Sequence, residues 1–122
     1  MNAKKGKKSI GFSYAWNGLV QLAKCERNFK IHIFVMVLVI IINIILKISV
    51  TEWAIVMLTI GSVLITETFN TCMEWLIDYV KPDIHPTAKR IKDVAAGGVL
   101  IATIISVIIG FLIYLPKIIS FF

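Results

Sequence analysis

The sequence predicts an all-α integral membrane protein, with an N-terminal amphipathic surface helix followed by three transmembrane helices. Hydrophobic residues make up 58% of the 122 positions, and the mean hydropathy is +0.87. Charged residues make up only 16%, and most of them lie outside three long apolar runs. A soluble domain of this length needs far fewer apolar residues for its core. We therefore expect residues 1–122 to form one membrane-embedded domain.

The first predicted element is the surface helix, over residues 9–28. Its apolar residues recur at the i, i+3, i+4, i+7 spacing of a helix with one apolar face; they are Phe12, Ala15, Trp16, Leu19, Val20 and Ala23. A helix with one apolar and one polar face lies in the membrane interface rather than across it.

Three predicted transmembrane helices follow, over residues 29–47, 53–80 and 94–115. The second is roughly 40 Å long at the rise of an α-helix, so it should project beyond the hydrocarbon layer on one side. Prolines mark the loop before the third span, and Thr87 is the predicted N-cap of the helix that follows that loop. The small residues at 95–98 permit close helix packing.

Lysine and arginine are distributed unequally between the two sides of this topology. The N-terminal segment and the loop at 81–92 carry most of them, whereas Lys47 and Lys117 lie on the other side. Positive residues concentrate in cytoplasmic loops, so we expect a multi-pass protein of the cell membrane with its N-terminus in the cytoplasm. The net charge of +6 suits a membrane surface, and no separate basic module for nucleic acid is visible.

The strongest chemical signal is the segment ETFNTCMEWLID in the second span. Its polar residues fall within roughly 80° of one another on a helix; they are Glu67, Asn70, Glu74 and Asp78. Ionisable side chains at membrane depth are costly and normally face a protein interior or a polar cavity. The alternative is structural, with these carboxylates merely paired to Arg90 or Lys92 of the next helix.

Two further segments place charges at the same membrane face. AKRIKDVAAGG brings Lys92 and Asp93 to the start of the third span, and CERNFKIH places Glu26 where the surface helix meets the membrane. Each is uninformative alone, since a snorkelling lysine or a solvated surface glutamate is common. Together with Glu67 and Glu74 they indicate an Mg²⁺–nucleotide site, because Mg²⁺ takes one or two carboxylates and fills its remaining positions with phosphate oxygens and water.

The nucleotide site must use an unusual scaffold. The only Gly-Lys pair, Gly6-Lys7, is followed by Lys8 and fits no P-loop. The Gly-rich loop and H-R-D motif of protein kinases are also missing from the sequence.

These segments resemble the small prokaryotic diacylglycerol kinases and their Gram-positive undecaprenol kinase branch. The pattern E-x-x-N-[ST]-x-x-E-x-x-x-D fits residues 67–78, A-K-x-x-K-D-x-A-A fits AKRIKDVAA, and E-R-N-x-[RK]-I-H of the Gram-positive branch fits ERNFKIH. The similarity covers nearly the whole chain. One departure is AAGG at 95–98, where relatives usually have another alanine or serine in place of a glycine.

The resemblance implies an ATP-dependent lipid kinase that phosphorylates the terminal hydroxyl of undecaprenol at the cytoplasmic membrane face. It implies Mg²⁺ as the metal, and a homotrimer whose active sites are shared between neighbouring subunits. Glu67 takes the position of the general base, and Glu26 and Glu74 take those of the metal ligands. Asn70 and Asp78 take supporting positions.

The resemblance also implies a set of nucleotide-binding residues, which includes the two metal ligands. These are Lys7, Tyr14, Glu26, Glu74, Asp83, Ile84, His85, Lys92 and Asp93. A diacylglycerol kinase that makes phosphatidic acid remains the alternative within the family. The alternative of another class is a small proton-coupled multidrug exporter, although such proteins usually have four spans and we count three plus a surface helix.

Overall fold

The computed structural model describes residues 10–122, with side chains from residue 11 onward. These residues form four α-helices, namely α1 (Ile10–Cys25), α2 (Arg27–Leu46), α3 (Val50–Val80) and α4 (Pro86–Phe121). Within this part of the chain, α2, α3 and α4 are long and apolar enough to cross a membrane. The prediction of an all-α membrane protein with one N-terminal helix and three candidate spans is confirmed.

The break between α1 and α2 lies at Glu26. Its backbone is extended, with φ −107° and ψ 118°, whereas the predicted boundary after residue 28 had placed Glu26 within the surface helix. Glu26 N–H still donates to the Leu22 carbonyl at 2.9 Å, and Lys30 N–H donates to the Glu26 carbonyl at 3.2 Å. Because backbone bonding is nearly continuous and no glycine or proline marks the break, it could not be predicted from the sequence.

The α2–α3 connection is a tight turn at Lys47, which adopts a left-handed conformation with φ 53°. Lys47 N–H donates to the Ile44 carbonyl and Ile48 N–H to the Asn43 carbonyl, both at 3.3 Å. This is the bonding of a Schellman C-cap, in which glycine is the usual residue at the left-handed position. The turn folds α3 back beside α2.

A capping box starts α3 earlier than the predicted bound at residue 53. Ser49 Oγ accepts from Glu52 N–H at 3.1 Å, and Ser49 N–H donates to Glu52 Oε1 at 2.9 Å. These reciprocal bonds satisfy two backbone donors that would otherwise be free. The helix therefore begins at Val50.

The start of α4 corrects the prediction that Thr87 is its N-cap. The N-cap is His85, whose Nδ1 accepts from Thr87 N–H at 3.1 Å. Pro86 is the first helical residue, because its fixed φ suits that position and its missing N–H leaves no donor unsatisfied there. α4 also continues beyond the predicted end at residue 115, through Pro116. Proline removes one backbone hydrogen bond from a helix. In lipid, unwinding the helix around it would leave further backbone groups unsatisfied, so the chain stays helical.

The α3–α4 hairpin is the main packing unit, and ion pairs join it at both ends. Lys92 Nζ lies 2.5 Å from Asp78 Oδ1 at the end nearest the 81–85 loop, which we call the Asp78 end. Lys117 Nζ lies 3.1 Å from Glu52 Oε1 at the opposite end, the Glu52 end. α2 packs beside α3, and α1 packs on α2.

The buried side chains are few, and one group of them lies at the Glu52 end. Ile48, Val56 and Ile113 form an apolar cluster there. Beside it, Tyr114 O–H donates to Oδ1 of the fully buried Asn43 and so joins α4 to α2. Most other apolar residues of the spans face outward from the single chain. This surface is left for lipid or for other subunits.

Candidate active site

The predicted polar face of α3 is buried around Glu67 and becomes exposed toward the Asp78 end. Glu67, Asn70 and Thr71 are buried, with Glu67 only 2% exposed, Glu74 is partly buried and Asp78 is exposed. Their positions follow from the helical period, which turns residues three, four and seven apart to one side. A buried carboxylate and amide inside a membrane helix pair mark a functional site.

The partner of Glu67 is His32 of α2. His32 Nε2 lies 3.9 Å from Glu67 Oε2, and the exposed fractions of the two side chains are 24% and 3%. Within residues 10–122, neither side chain makes a hydrogen bond of its own. The pair therefore places a carboxylate, which can accept a hydrogen bond or a proton, next to a ring nitrogen that can donate a hydrogen bond.

Glu74 is held by a residue of its own helix. Asn70 Nδ2 donates to Glu74 Oε1 at 3.1 Å, one helical turn away. Glu74 also lies close enough to Glu26 and Glu67 for their charges to act on it. The structure thus brings together the three carboxylates that the sequence predicted for one site.

Glu26 reaches this site through a contact that the sequence did not predict. Trp75 Nε1 donates to Glu26 Oε1 at 3.2 Å, which ties the α1–α2 break to the middle of the polar face of α3. Because Trp75 directly follows Glu74, the bond brings the two predicted metal ligands to neighbouring positions.

The donor set fits a magnesium ion that arrives with a nucleotide. In residues 10–122, Glu26 and Glu74 each engage only Oε1 in a side-chain hydrogen bond, so each keeps Oε2 for a cation. No group of three or more Asp, Glu, His or Cys side chains in that range could hold a metal alone. Mg²⁺ needs only one or two protein carboxylates when phosphate oxygens and water fill its other positions.

The structural alternative for the carboxylates holds for Asp78, which pairs with Lys92 of the next helix. Asp93 likewise pairs with Lys89, one turn earlier on α4, at 2.6 Å. Asp78, Asp93 and Lys89 are well exposed, so these pairs contribute little to stability. Both remain accessible from the aqueous side of the Asp78 end.

The other predicted nucleotide-binding residues lie apart from the three carboxylates. Asp83, Ile84 and His85 form the 81–85 loop, where Ile84 is fully exposed and His85 caps α4. Tyr14 lies on α1 and is partly exposed, and Lys7 lies outside the described residues. Beside the start of α4 is an open hollow of about 410 Å³. It is lined by Pro86, Lys89, Arg90, Asp93 and Val94.

An apolar groove of about 480 Å³ lies between α2, α3 and α4. His32 lines it near Glu67, and Tyr114 lines it toward the Glu52 end. The groove offers few free donors, because the hydroxyls of Thr59 and Ser106 donate to carbonyls of their own helices at 2.7 and 2.8 Å. Its shape and lining suit a hydrocarbon chain.

Sequence reasoning assigned no role to His32 or Trp75. His32 belongs to the quoted segment ERNFKIH, so the resemblance carried it without a function. Trp75 had no signal apart from its place beside Glu74, since a tryptophan near a membrane interface is common.

Comparisons with known proteins identify the family of this chain. The model of the prokaryotic diacylglycerol kinase family matches residues 13–114. The undecaprenol kinase of Bacillus subtilis (strain 168) is 41% identical over 106 residues, which are 87% of this chain and 86% of that protein. A diacylglycerol kinase of Synechocystis sp. is 39% identical over 112 residues, 91% of this chain and 64% of the relative.

A more distant relative is the diacylglycerol kinase of Escherichia coli (strain K12), which is 27% identical over 95 residues, 78% of each chain. The resemblance inferred from the sequence motifs is thereby confirmed, and the exporter alternative loses its basis. This chain is a lipid kinase and belongs to the prokaryotic diacylglycerol kinase family.

Proposed function

We propose that the chain transfers the γ-phosphoryl group of ATP to the terminal hydroxyl of undecaprenol, giving undecaprenyl phosphate and ADP. The observation that carries the proposal is that the buried Glu67 lies next to His32, which lines an apolar groove. A long lipid with one terminal hydroxyl fits a groove of this kind, because its chain needs no polar partner. The 41% identity to an undecaprenol kinase over most of both chains supports the same substrate.

The proposed chemistry assigns Glu67 as the general base. As the lipid oxygen bonds to the γ-phosphorus, its proton passes to the Glu67 carboxylate, and the electron pair of the broken P–O bond leaves on ADP. Phosphoryl transfer depends mostly on positioning and charge neutralisation. The main requirement for the lipid substrate is therefore a carboxylate in a fixed position next to its hydroxyl.

The proposed cofactor is Mg²⁺, which Glu26 and Glu74 would hold through their Oε2 atoms. When bound, the ion neutralises charge on the phosphates of ATP. Trp75 and Asn70 fix the two carboxylates from the protein side.

The nucleotide would bind at the Asp78 end. Lys92, released from Asp78, would contact its phosphates, and Asp93 and the 81–85 loop would border it. Tyr14 and Lys7 would approach the nucleotide from the N-terminal segment. We place this end in the cytoplasm, where ATP is found; the lysines and arginines at 81–92 support that orientation.

The shortage of hydrogen-bond donors supports a polyprenol over diacylglycerol. Two ester groups beside the hydroxyl of diacylglycerol gain from hydrogen-bond donors near the interface. Asn70 Nδ2 is already engaged by Glu74, and the hydroxyls of Thr59 and Ser106 in the groove are engaged by their own backbones. Near the site and in the groove, the hydroxyls without a partner within residues 10–122 are those of Thr71 and Thr103. Undecaprenol requires a partner only for its one hydroxyl.

Diacylglycerol is the second candidate substrate. The observation in its favour is the 39% identity to a cyanobacterial diacylglycerol kinase over 91% of this chain. That relative and the undecaprenol kinase are almost equally similar to the chain, so identity alone does not choose between the substrates.

We further propose that the chain assembles as a homotrimer with sites shared between subunits. The apolar surface that the single chain leaves exposed supports assembly. Cross-linking in native membranes tests the trimer separately from the activity.

The substrate proposal is tested by phosphorylation of undecaprenol and diacylglycerol side by side, with purified protein in bilayers of one composition. We expect kcat/KM for undecaprenol to exceed that for diacylglycerol by at least roughly tenfold, or about 1.4 kcal/mol in transition-state binding. Equal rates, or a preference for diacylglycerol, overturn the choice of substrate. Phosphorylation of neither lipid overturns both candidates.

A further inference from the structure

The gap between His32 and Glu67 has the dimensions of a hydroxyl-binding position. At 3.9 Å, Nε2 and Oε2 are too far apart for a direct hydrogen bond, which requires about 2.7–3.2 Å. A hydroxyl oxygen set to one side of the line between them can lie about 2.8 Å from both, with an angle of roughly 90° between the two contacts. One hydroxyl group can thus hydrogen-bond to both side chains at once.

The donors and acceptors of the pair match those of a hydroxyl. A carboxylate only accepts, whereas a neutral imidazole can donate from one ring nitrogen. An alcohol has one proton to donate and lone pairs to accept with. Its O–H can therefore donate to Glu67 Oε2 while its oxygen accepts from Nε2–H of His32.

The location of the pair indicates which hydroxyl it meets. His32 lines the apolar groove. Glu67 lies next to His32, and only 3% of the Glu67 side chain is exposed. The groove hydroxyls of Thr59 and Ser106 are engaged by their own helices. Thr103 also lines the groove, and its hydroxyl makes no hydrogen bond within residues 10–122. At His32 and Glu67, however, an alcohol whose chain lies in the groove finds an acceptor and a ring N–H together.

We infer that His32 is a catalytic residue that binds the acceptor hydroxyl of the lipid, donating from Nε2 to the oxygen whose proton Glu67 accepts. The inference rests on the proposed function. During transfer the lipid oxygen forms its bond to the γ-phosphorus, its proton moves to Glu67, and the cleaved P–O electron pair leaves on ADP. His32 keeps its own proton throughout, and its N–H stabilises negative charge that develops on the lipid oxygen.

Two substitutions distinguish the effect of the Nε2–H donor of His32 from the effect of its ring. His32→Phe keeps a flat ring without a donor, whereas His32→Gln places an amide N–H near the position of Nε2. The control is Phe34→Leu on the outward face of the same helix. Initial rates are measured against lipid alcohol and against Mg·ATP in the same bilayers.

We expect His32→Phe to lower kcat/KM for the lipid by at least about tenfold, as loss of a donor to a developing oxyanion does. KM for ATP should stay within twofold of wild type. His32→Gln should keep at least about a third of the wild-type kcat/KM, and Phe34→Leu should stay within twofold. His32→Phe within twofold of wild type, or a matching rise in its KM for ATP, overturns the inference.

A second comparison decides the matter if His32→Phe does not fold. His32→Asn has the polarity of His32→Gln, but its amide ends near the position of Nδ1 and cannot reach as far. We expect Gln to exceed Asn several-fold in kcat/KM, and equal rates overturn the role of Nε2. Wild-type protein that phosphorylates no lipid alcohol contradicts the proposed function, whereas a His32→Phe variant as active as an active wild type contradicts only this inference.

Discussion

The indole N–H of Trp75 donates a hydrogen bond to Glu26 Oε1 at 3.2 Å and so fastens the α1–α2 break to α3. Glu26 is at an extended residue between two helices, and its carboxylate has no other hydrogen-bond donor in residues 10–122. Trp75 therefore sets where this carboxylate lies relative to Glu74.

The first prediction follows from that bond. Trp75→Phe keeps an aromatic ring but removes the donor, so Glu26 loses its fixed position. We expect the Mg²⁺ concentration for half-maximal activity to rise by about threefold or more, since a hydrogen bond to a charged group is worth more than a neutral one. Trp16→Phe on the exposed face of α1 is the control, and an equal rise there contradicts the assignment.

Glu67→Gln tests the general base. The amide keeps the shape of the side chain but cannot take the proton, so turnover should nearly vanish while ATP binding is largely unchanged. Single-turnover rates and binding of a fluorescent ATP analogue measure the two effects separately. Turnover close to that of wild type removes Glu67 from this role.

Glu26→Gln and Glu74→Gln test the metal site. Each removes one anionic ligand, so each should raise the Mg²⁺ requirement in an activity titration. Glu52→Gln at the opposite end of α3 is the matched control, because its carboxylate pairs with Lys117 far from the site. If neither site variant alters the magnesium dependence, the assignment of both ligands is wrong.

The Asp78–Lys92 pair can be structural or part of the nucleotide site, and two variants distinguish these roles. Lys92→Met should raise KM for ATP by about tenfold or more if Lys92 contacts phosphate. Asp78→Asn frees the same lysine and should leave that KM unchanged or lower. A structural pair predicts instead that both variants bind ATP normally, with small and similar losses of stability.

The Asn43–Tyr114 bond predicts a non-additive effect on stability. Tyr114→Phe leaves buried Asn43 Oδ1 without its donor, which should lower the free energy of unfolding in detergent by about 0.5–2 kcal/mol. Adding Asn43→Leu removes the unpaired amide as well, so the double variant should recover much of the loss. Unfolding by sodium dodecyl sulfate is measured for the wild type, both single variants and the double variant, and purely additive losses contradict the pairing.

The helices and the polar face of α3 were predictable, because both depend on patterns along the chain. Apolar runs identify the spans, and the helical period turns Glu67, Asn70 and Glu74 to one side. The capping box of Ser49 and Glu52 was also readable from their spacing, and the prediction missed it. Proline at the first helical position, rather than a threonine N-cap, decided the start of α4.

The contacts between helices were not predictable from those patterns. His32–Glu67 and Trp75–Glu26 depend on the rotation of α2 and on the angle at the α1–α2 break, which no local pattern fixes. The pairing of Lys92 with Asp78 rather than with Glu74 depends in the same way on the register between α3 and α4.

The ion pairs at the two ends of the α3–α4 hairpin also fix its depth in the bilayer. Glu52 and Asp78 are separated along α3 by roughly 39 Å, more than the hydrocarbon thickness of about 30 Å. Sliding of a centred hairpin along the membrane normal by more than about 4–5 Å draws one pair into hydrocarbon, at a cost that opposes the movement. Glu67 lies about 16 Å from Asp78 toward the bilayer centre, so if Glu67 is the general base, as proposed above, the acceptor hydroxyl must lie below the headgroups when it reacts. On that proposal we expect turnover to depend on the acyl-chain length of the surrounding lipid.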